Sequence, residues 1–216
     1  MCKQHLSCDG IMKNNYVYEF GDSLYLNITN RCPNKCEFCI RNIKNGVSGN
    51  DLWILKEPTY QELIDDIALY PLDKYKEIVF CGFGEPMCAL SLISQVAPYL
   101  KSKGCKIRIN TNGLGNLING RDDVPKLIAP YIDYISISLN ASNAQTYQEI
   151  CRSKYGEQAF YAMLDFAKGC VEAGIDTTMS VVDFIGEEEI DACRKIVEQT
   201  GAHFRVRETI TEDTQY

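Results

Sequence analysis

The sequence predicts an α/β fold, a partial (β/α)6 barrel whose curved, mostly parallel sheet carries its helices on the outside. Three observations lead there. Six β-rich stretches recur along the chain, "LYLNIT", "EIVFCGF", "KIRINTN", "YISISLNA", "DTTMSVVDF" and "HFRVRE", each the length of a single strand. Most neighbouring pairs are separated by a helix-like segment, which makes the strands parallel with right-handed crossovers. Within the strands apolar and polar residues alternate, and a sheet covered by helices on both faces would bury those polar side chains.

The helix over 58–70 opens on Pro58-Thr59 and carries Leu63, Ile64, Ile67 and Ala68 at helical spacing. Helices over 89–103, 160–173 and 187–200 each stop at a glycine: Gly104, Gly174 and Gly201. In the third strand Ile107 and Ile109 alternate with Arg108, Asn110 and Asn112; in the fourth Ile135, Ile137 and Leu139 alternate with Ser136, Ser138 and Asn140. Asn27 and Thr29 repeat the pattern in the first. One face is therefore expected to meet helices and the other to line a wet cavity.

A chain of 216 residues that is 45% hydrophobic and 24% charged suits one core. The expected organisation is a poorly ordered N-terminal extension over 1–15 and a single core domain over 16–216. Met12 is a candidate functional start, because residues 1–11 are polar and unpatterned. With 22 basic and 29 acidic side chains the net charge is −7, which disfavours nucleic acid and anionic membrane as partners. No signal-like apolar run opens the chain and no apolar stretch is long enough to cross a bilayer. The expected location is cytoplasmic, where eleven cysteines read as metal ligands or small buried hydrophobes rather than disulfides.

Three of those cysteines, Cys32, Cys36 and Cys39 in "NRCPNKCEFCIRN", follow the first strand directly, where β/α barrels keep their chemistry. Their spacing is C-x3-C-x2-C. A structural zinc site wants four ligands, usually in two close pairs, and the histidines available are His5 and His203. Three thiolates can instead hold three irons of a four-iron cubane and leave the fourth open. The remaining cysteines, Cys2, Cys8, Cys81, Cys88, Cys105, Cys151, Cys170 and Cys193, show no close grouping and read mostly as core filler.

This spacing, with aromatic Phe38 before the last cysteine, resembles the radical S-adenosylmethionine (SAM) superfamily, and the resemblance runs over 24–208. It implies a radical SAM type of partial barrel, a [4Fe-4S] cluster on Cys32, Cys36 and Cys39, and SAM held at the open iron. It also implies reductive cleavage of SAM to methionine and a 5′-deoxyadenosyl radical, which takes hydrogen from an unidentified small-molecule or peptide substrate. An electron donor such as flavodoxin or ferredoxin belongs to the same implication. Phe38 would lie near the adenine. "CGFGEP" resembles the family's glycine-glycine-glutamate element for the SAM amino group, here Gly82, Gly84 and Glu85 with Phe83 between the glycines. Glycines let backbone carbonyls approach an ammonium, and a glutamate adds a charge-assisted acceptor.

Asn110, Asn112, Ser138 and Asn140 stand where the family presents polar groups to the ribose and carboxylate of SAM. Ile185 in "VVDFIGEEE" is the candidate apolar contact to adenine; a strand end with a helix cap is the alternative. Glu85, Arg152 and Cys88 are the catalytic candidates. Arg152 would reach the SAM carboxylate or a substrate acid, or else be a solvated helix-end arginine. Cys88 would donate hydrogen, or else open a helix. Arg108, Arg205 and Arg207 fall on the lumen face by alternation, with Arg121 in the loop above, so the expected substrate is anionic.

Within the superfamily, "YLNITNRCPNKCEFCIRN", "DLWILKEPT", "FCGFGEP", "INTNGLGNLINGRDD" and "FRVRE" most resemble the short TatD-associated radical SAM proteins. That resemblance implies a pathway link to a TatD-type metal-dependent hydrolase and names no substrate. Two alternatives stand beside it: an activating enzyme for a glycyl-radical enzyme, acting on a protein loop, and a non-catalytic iron–sulfur or zinc binding module.

Overall fold

A computed structural model describes residues 14–209. The Met12 start and most of the expected extension lie outside the described residues, whereas Asn14 and Asn15 are tied to the body. Asn14 Oδ1 accepts from Leu55 N at 2.6 Å, and Asn15 Nδ2 donates to Asp51 O at 2.7 Å.

A tight hairpin opens the fold. Strand β1 (Val17–Phe20) runs antiparallel to β2 (Ser23–Leu26) through Gly21-Asp22, with Gly21 at φ 61°, a left-handed turn conformation that costs glycine least. β1 was not among the expected strands, although "FGDS" carries a two-residue hairpin signal. A minimal hairpin of β3 (Gly46–Val47) and β4 (Asn50–Asp51) follows the cysteine loop. The chain continues through α1 (Tyr60–Ile67), β5 (Ile78–Phe80), α2 (Leu90–Ser102), β6 (Ile107–Thr111), the short helices α3 (Gly115–Asn119) and α4 (Val124–Ile128), and β7 (Tyr134–Ser138). It ends with α5 (Ala144–Cys151), α6 (Gln158–Glu172), β8 (Asp176–Val182), α7 (Glu187–Glu198) and β9 (His203–Arg207).

All six expected strands form, and they lie side by side in chain order. β2, β5, β6, β7, β8 and β9 are parallel neighbours, with β1 antiparallel at the β2 edge. Among the described residues the sheet is open, with β1 and β9 at its edges. Nevertheless Tyr18 and Tyr25 from one edge line the same cavity as Arg205 and Arg207 from the other. The sheet therefore curls around that cavity, as a partial barrel does.

Alternation sorts the side chains as expected. Ile107, Ile109, Ile135, Ile137, Met179 and Val181 are buried in the main core, which the helices share through residues such as Leu63, Ile93 and Phe166. Each fully buried side chain of this size contributes roughly 1.5–3 kcal/mol. Arg108, Asn110, Ser136, Ser138 and Ser180 line the cavity instead. Asn27 and Thr29 depart from the expectation. The strand ends at Leu26, so strand alternation no longer governs them; both are buried against the segment that follows β4. Asn27 Nδ2 donates to Leu52 O at 2.9 Å, and Thr29 Oγ1 bonds the Glu57 carboxylate.

Helix ends follow local chemistry. Thr59 and Glu62 form a reciprocal capping box at the start of α1, in which Glu62 Oε2 accepts from Thr59 N at 2.8 Å. α2, α6 and α7 end within a few residues of Gly104, Gly174 and Gly201, as the sequence indicates. No helix among the described residues is long and apolar enough to cross a membrane.

The C-terminal end of β5 meets the loop leaving β2 at a distance only glycine allows. A Cβ on Gly84 would collide with the Thr29 carbonyl and lie 2.8 Å from the Arg31 carbonyl oxygen, both rigid backbone groups. Gly84→Ala is expected to lower stability by about 1–3 kcal/mol through overpacking. Chemical denaturation of the variant beside the parent checks this; an unchanged midpoint would contradict the close approach.

Candidate functional site

The curled sheet and the loops at the C-terminal ends of its strands enclose a cavity of about 440 Å³, within the usual range for a small-molecule site. Cys32, Cys36 and Cys39 border it, together with Phe38, Gly82, Gly84, Glu85, Asn110, Asn112, Ser138 and Asn140. Residues from the first four parallel strands and their loops, distant in sequence, thus meet at one place.

The cysteine loop is pinned from two sides. Upstream, Arg31 grips Glu57 with two hydrogen bonds of 2.6 and 2.8 Å and reaches Cys88 O at 2.7 Å. Downstream, the backbone of the loop docks on the end of α5: Lys35 N donates to Cys151 O at 3.0 Å, Glu37 N to Ile150 O at 3.1 Å, and Lys154 N to Pro33 O at 2.9 Å. Asn34 Nδ2 donates to the Tyr147 hydroxyl at 3.1 Å. Burial, then the nearby Glu85 carboxylate, pushes the Cys32 thiol up to about 12. The Cys36 thiol is also raised, first by its hydrogen bond to Cys151 and then by burial. Such thiols ionise when a metal supplies the compensating charge.

Glu85 is 4% exposed, and three protein donors satisfy its carboxylate. Oε1 accepts from Thr111 Oγ1 at 2.6 Å and Met87 N at 3.0 Å; Oε2 accepts from Asn112 N at 2.7 Å. Burial raises its pKa from 4.5 to about 7 despite those bonds. A carboxylate has lone pairs for about four donors, so Oε2 retains room for one more from the cavity.

Asn112 Nδ2 lies 4.0 Å from Cys32 Sγ, and its Oδ1 accepts from Leu114 N at 3.0 Å. Asn110 Oδ1 accepts from Arg108 at 2.9 Å. Asn140 is 3% exposed, in the left-handed region at φ 65°, and donates through Nδ2 to Cys151 Sγ at 3.6 Å. Two buried oxygens on cavity-lining residues, Asn34 Oδ1 and Asn140 Oδ1, have no hydrogen-bond partner among the described residues. Buried acceptors in that condition call for a donor from a ligand or water.

Four candidates fall outside the cavity lining. Arg152 caps α5 and makes an exposed ion pair with Glu37 at 3.3 Å, so the solvated helix-end reading describes it. Cys88 lies in a short turn of 3-10 helix, Pro86–Ala89, with its backbone oxygen held by Arg31. Ile185 packs toward the main core, and Phe184 beside it contacts the Phe38 ring at a centroid distance of 5.3 Å. Arg121 pairs with its neighbour Asp123 on the surface. Each lies in a turn or just past a helix end beyond its strand, outside the lining of the cavity.

Arg108, Arg205 and Arg207 do border the cavity. Arg108 is held by Glu77 at 2.8 Å and Arg207 by Ser180 Oγ at 3.0 Å. Arg108 also donates to the Tyr25 hydroxyl at 3.3 Å, and Tyr25 belongs to an aromatic wall with Tyr18, Phe20 and Phe83, part of a second small core with Leu52. Sequence reasoning missed this wall, since it is assembled from the unrecognised β1, from Tyr25 on β2 and from the loop after β5. It also missed Asn34, Thr111 and Cys151, whose roles depend on partners far along the chain.

The donor set can be tested against a metal. Four thiolates around one zinc, at about 2.3 Å each, would bring their sulfurs within roughly 4 Å of one another. Among the described residues no three Cys, His, Asp or Glu side chains converge in that way. Three cysteines bordering one cavity suit a polynuclear cluster, in which each of three irons takes its own thiolate.

Comparison with known proteins agrees with this geometry. In sequence, 90 residues are 31% identical to the tungsten-containing aldehyde ferredoxin oxidoreductase cofactor-modifying protein of Pyrococcus furiosus, covering 42% of this chain and 23% of that protein. In fold, the chain is similar to SuiB of Streptococcus suis bound to S-adenosylmethionine, with a TM-score of 0.65, 16% identity and coverage of 89% of this chain and 42% of that one. A radical SAM methyltransferase from Sphaerobacter thermophilus gives a TM-score of 0.59 at 14% identity, covering 91% and 70%. The chain thus spans less than a quarter of the curated relative and less than half of SuiB. Residues 26–198 match the family described as the Radical SAM superfamily, and since that span holds the cysteine loop and most of the curled sheet, the chain belongs to this superfamily.

Proposed function

We propose that this protein is a radical SAM enzyme of the TatD-associated type, acting on an anionic small molecule or peptide. Cys32, Cys36 and Cys39 hold a [4Fe-4S] cluster, and SAM occupies the adjoining part of the cavity. The observation that carries this reading is the meeting of the three thiols with Glu85, Asn112, Ser138 and Asn140 around one cavity. Reductive cleavage of bound SAM is the chemistry the cluster supplies, with a flavodoxin- or ferredoxin-like protein as the electron source. The motifs shared with the TatD-associated proteins support the subtype and, with it, the pathway link to a TatD-type hydrolase.

The chain's own residues bind and orient. Glu85 offers its remaining lone pair to the SAM ammonium, and Asn34 and Asn140 offer their unpartnered oxygens to hydroxyl or ammonium donors. The Phe38–Phe184 pair offers an apolar face to the adenine in place of Ile185. Arg205 is exposed at the cavity mouth and, among the described residues, makes no side-chain hydrogen bond or ion pair. That leaves it available for a carboxylate or phosphate.

Anaerobic reconstitution is expected to give one four-iron cluster per chain, lost when Cys32, Cys36 and Cys39 are all changed to Ala. Iron and sulfide analysis checks this, and a full cluster in the triple variant would refute the assignment. With reductant, the intact protein should form 5′-deoxyadenosine; its absence from a cluster-replete sample given the true substrate would refute the enzymatic reading.

The Glu85 carboxyl is harder to ionise folded than unfolded, so its contribution to apoprotein stability is best below pH 4.5 and declines as pH rises through 7. The decline amounts to at most roughly 3 kcal/mol. Glu85→Gln should remove this pH dependence in denaturation curves and weaken SAM binding by about 1.5–3 kcal/mol. A parallel loss of SAM affinity and no change in the stability profile would show that burial is not what perturbs Glu85.

For the substrate, crystals grown with SAM and inorganic phosphate are expected to hold the anion at Arg205. An anion-free cavity with Arg205 turned to solvent would remove the anionic-substrate assignment and leave the SAM site standing.

A further inference from the structure

The cavity is polar from β6 to β9 and aromatic at β1 and β2. Asn110, Ser136, Ser138 and Ser180 face it on one side, whereas Tyr18, Phe20 and Tyr25 face it from the opening hairpin. Strand register makes the aromatic group compact. Tyr18 stands directly across from Tyr25, with ring centroids 5.2 Å apart, and Phe20 meets Tyr25 edge to face at 5.6 Å. Phe83 extends the wall from the loop after β5, backed by Trp53 at 5.1 Å. The main core lies on the other face of the same hairpin, where Val17, Leu24 and Leu26 join it. These rings are therefore an apolar surface turned toward the cavity, a feature that marks a ligand groove.

Arg108 serves this wall rather than an anion. Each of its guanidinium nitrogens has a protein partner: Nε and Nη2 hold Glu77 at 3.0 and 2.8 Å, Nη1 donates to Asn110 Oδ1 at 2.9 Å, and Nη2 donates to the Tyr25 hydroxyl at 3.3 Å. Glu77 balances its charge, and its contact with Tyr25 fixes a ring whose face it overlies at 5.9 Å. Arg205, on the edge strand β9, has no such partners among the described residues. Register sets it level with Ser180 and Ser138, four residues farther along β7 than Tyr134, which is level with Arg108. The basic group thus stands toward the mouth at one edge of the sheet, and the aromatic group stands deeper at the other.

We infer that the substrate is an anion that carries an aromatic ring, its ring packed on Phe20, Tyr25 and Phe83 and its acid group paired with Arg205. The inference rests on the proposed anionic substrate and narrows it. A planar ring gains more than area burial where it can meet other rings edge to face, and a guanidinium fork suits a carboxylate or phosphate. Ring and acid are then read at two separate places, which fixes the direction in which the molecule lies.

The test is anaerobic calorimetric titration of the reconstituted, SAM-bound protein with ethyl phosphate, 2-phenylethyl phosphate and 2-cyclohexylethyl phosphate. The phenyl compound is expected to bind about tenfold or more tightly than ethyl phosphate, and more tightly than the cyclohexyl compound. Phe20→Leu keeps an apolar side chain without a ring and should weaken binding of the phenyl compound alone. Arg205→Gln should weaken all three by a similar factor, a split that a general loss of structure would not produce. Equal affinity of the parent for the ethyl and phenyl compounds, equal affinity for the phenyl and cyclohexyl compounds, or a full phenyl preference in Phe20→Leu would overturn the inference. The first two comparisons need no variant, so they decide the matter even if Phe20→Leu fails to fold. Should none of the three phosphates bind, the anionic-substrate assignment falls and this inference with it. A protein that takes up no SAM would count against the SAM site instead, and the same titration without SAM would still decide the ring preference.

Discussion

A buried carboxylate holds the architecture around the cavity together. Glu85 accepts from Thr111 and Asn112 at the end of β6 and from Met87 beyond β5, while its own N–H donates to Arg31 O at 2.8 Å in the cysteine loop. One residue thereby ties three chain segments at the C-terminal edge of the sheet. The cost is the desolvation of a charge, visible in its raised pKa. Such a group is expensive to leave unpaired and strongly directional once paired. Neighbouring features follow from it: Gly84 has no Cβ because the loop must come close enough for this tie, and Asn112 is held beside Cys32 by the same carboxylate.

Much of the fold was legible because it rests on periodicity. Ile107, Ile109, Ile135 and Ile137 declared a buried face and Arg108, Asn110, Ser136 and Ser138 a wet one, and a period of two has one geometric meaning in a strand. The cysteine triad and "CGFGEP" were legible because their residues are close in sequence. Arg152, Cys88, Ile185 and Arg121 lie outside the cavity lining, in turns and at helix ends where no strand period governs direction. At Arg152 the backbone itself turns left-handed, at φ 46°, and sends the side chain to Glu37. Cys151 was invisible for a different reason. Its partners are Asn140 at the thiol and Lys35 at the carbonyl, and only the docking of α5 on the cysteine loop brings the latter to it.

Charge shows a similar separation between local and global scale. A net charge of −7 describes the surface as a whole and says little about the cavity, whose lining includes Arg41, Arg108, Arg205 and Arg207 beside Glu85 and Glu208, with Glu77 paired to Arg108. An acidic exterior with a locally basic interior repels bulk polyanions while favouring a small anion that reaches the cavity.

Among the described residues the sheet that surrounds this cavity is open between β1 and β9, and that sets how the site can deform. A closed barrel fixes its own bore, because widening it would break ladder hydrogen bonds. Here a change in curvature would move Arg205 and Arg207 relative to Tyr18 and Tyr25 without breaking one inter-strand pair. The cysteine loop and the Glu85 tie, by contrast, cross between segments and resist such bending. The cavity is thus mechanically anisotropic, stiff at the cysteine loop and the Glu85 tie and compliant across the width between its two edge strands.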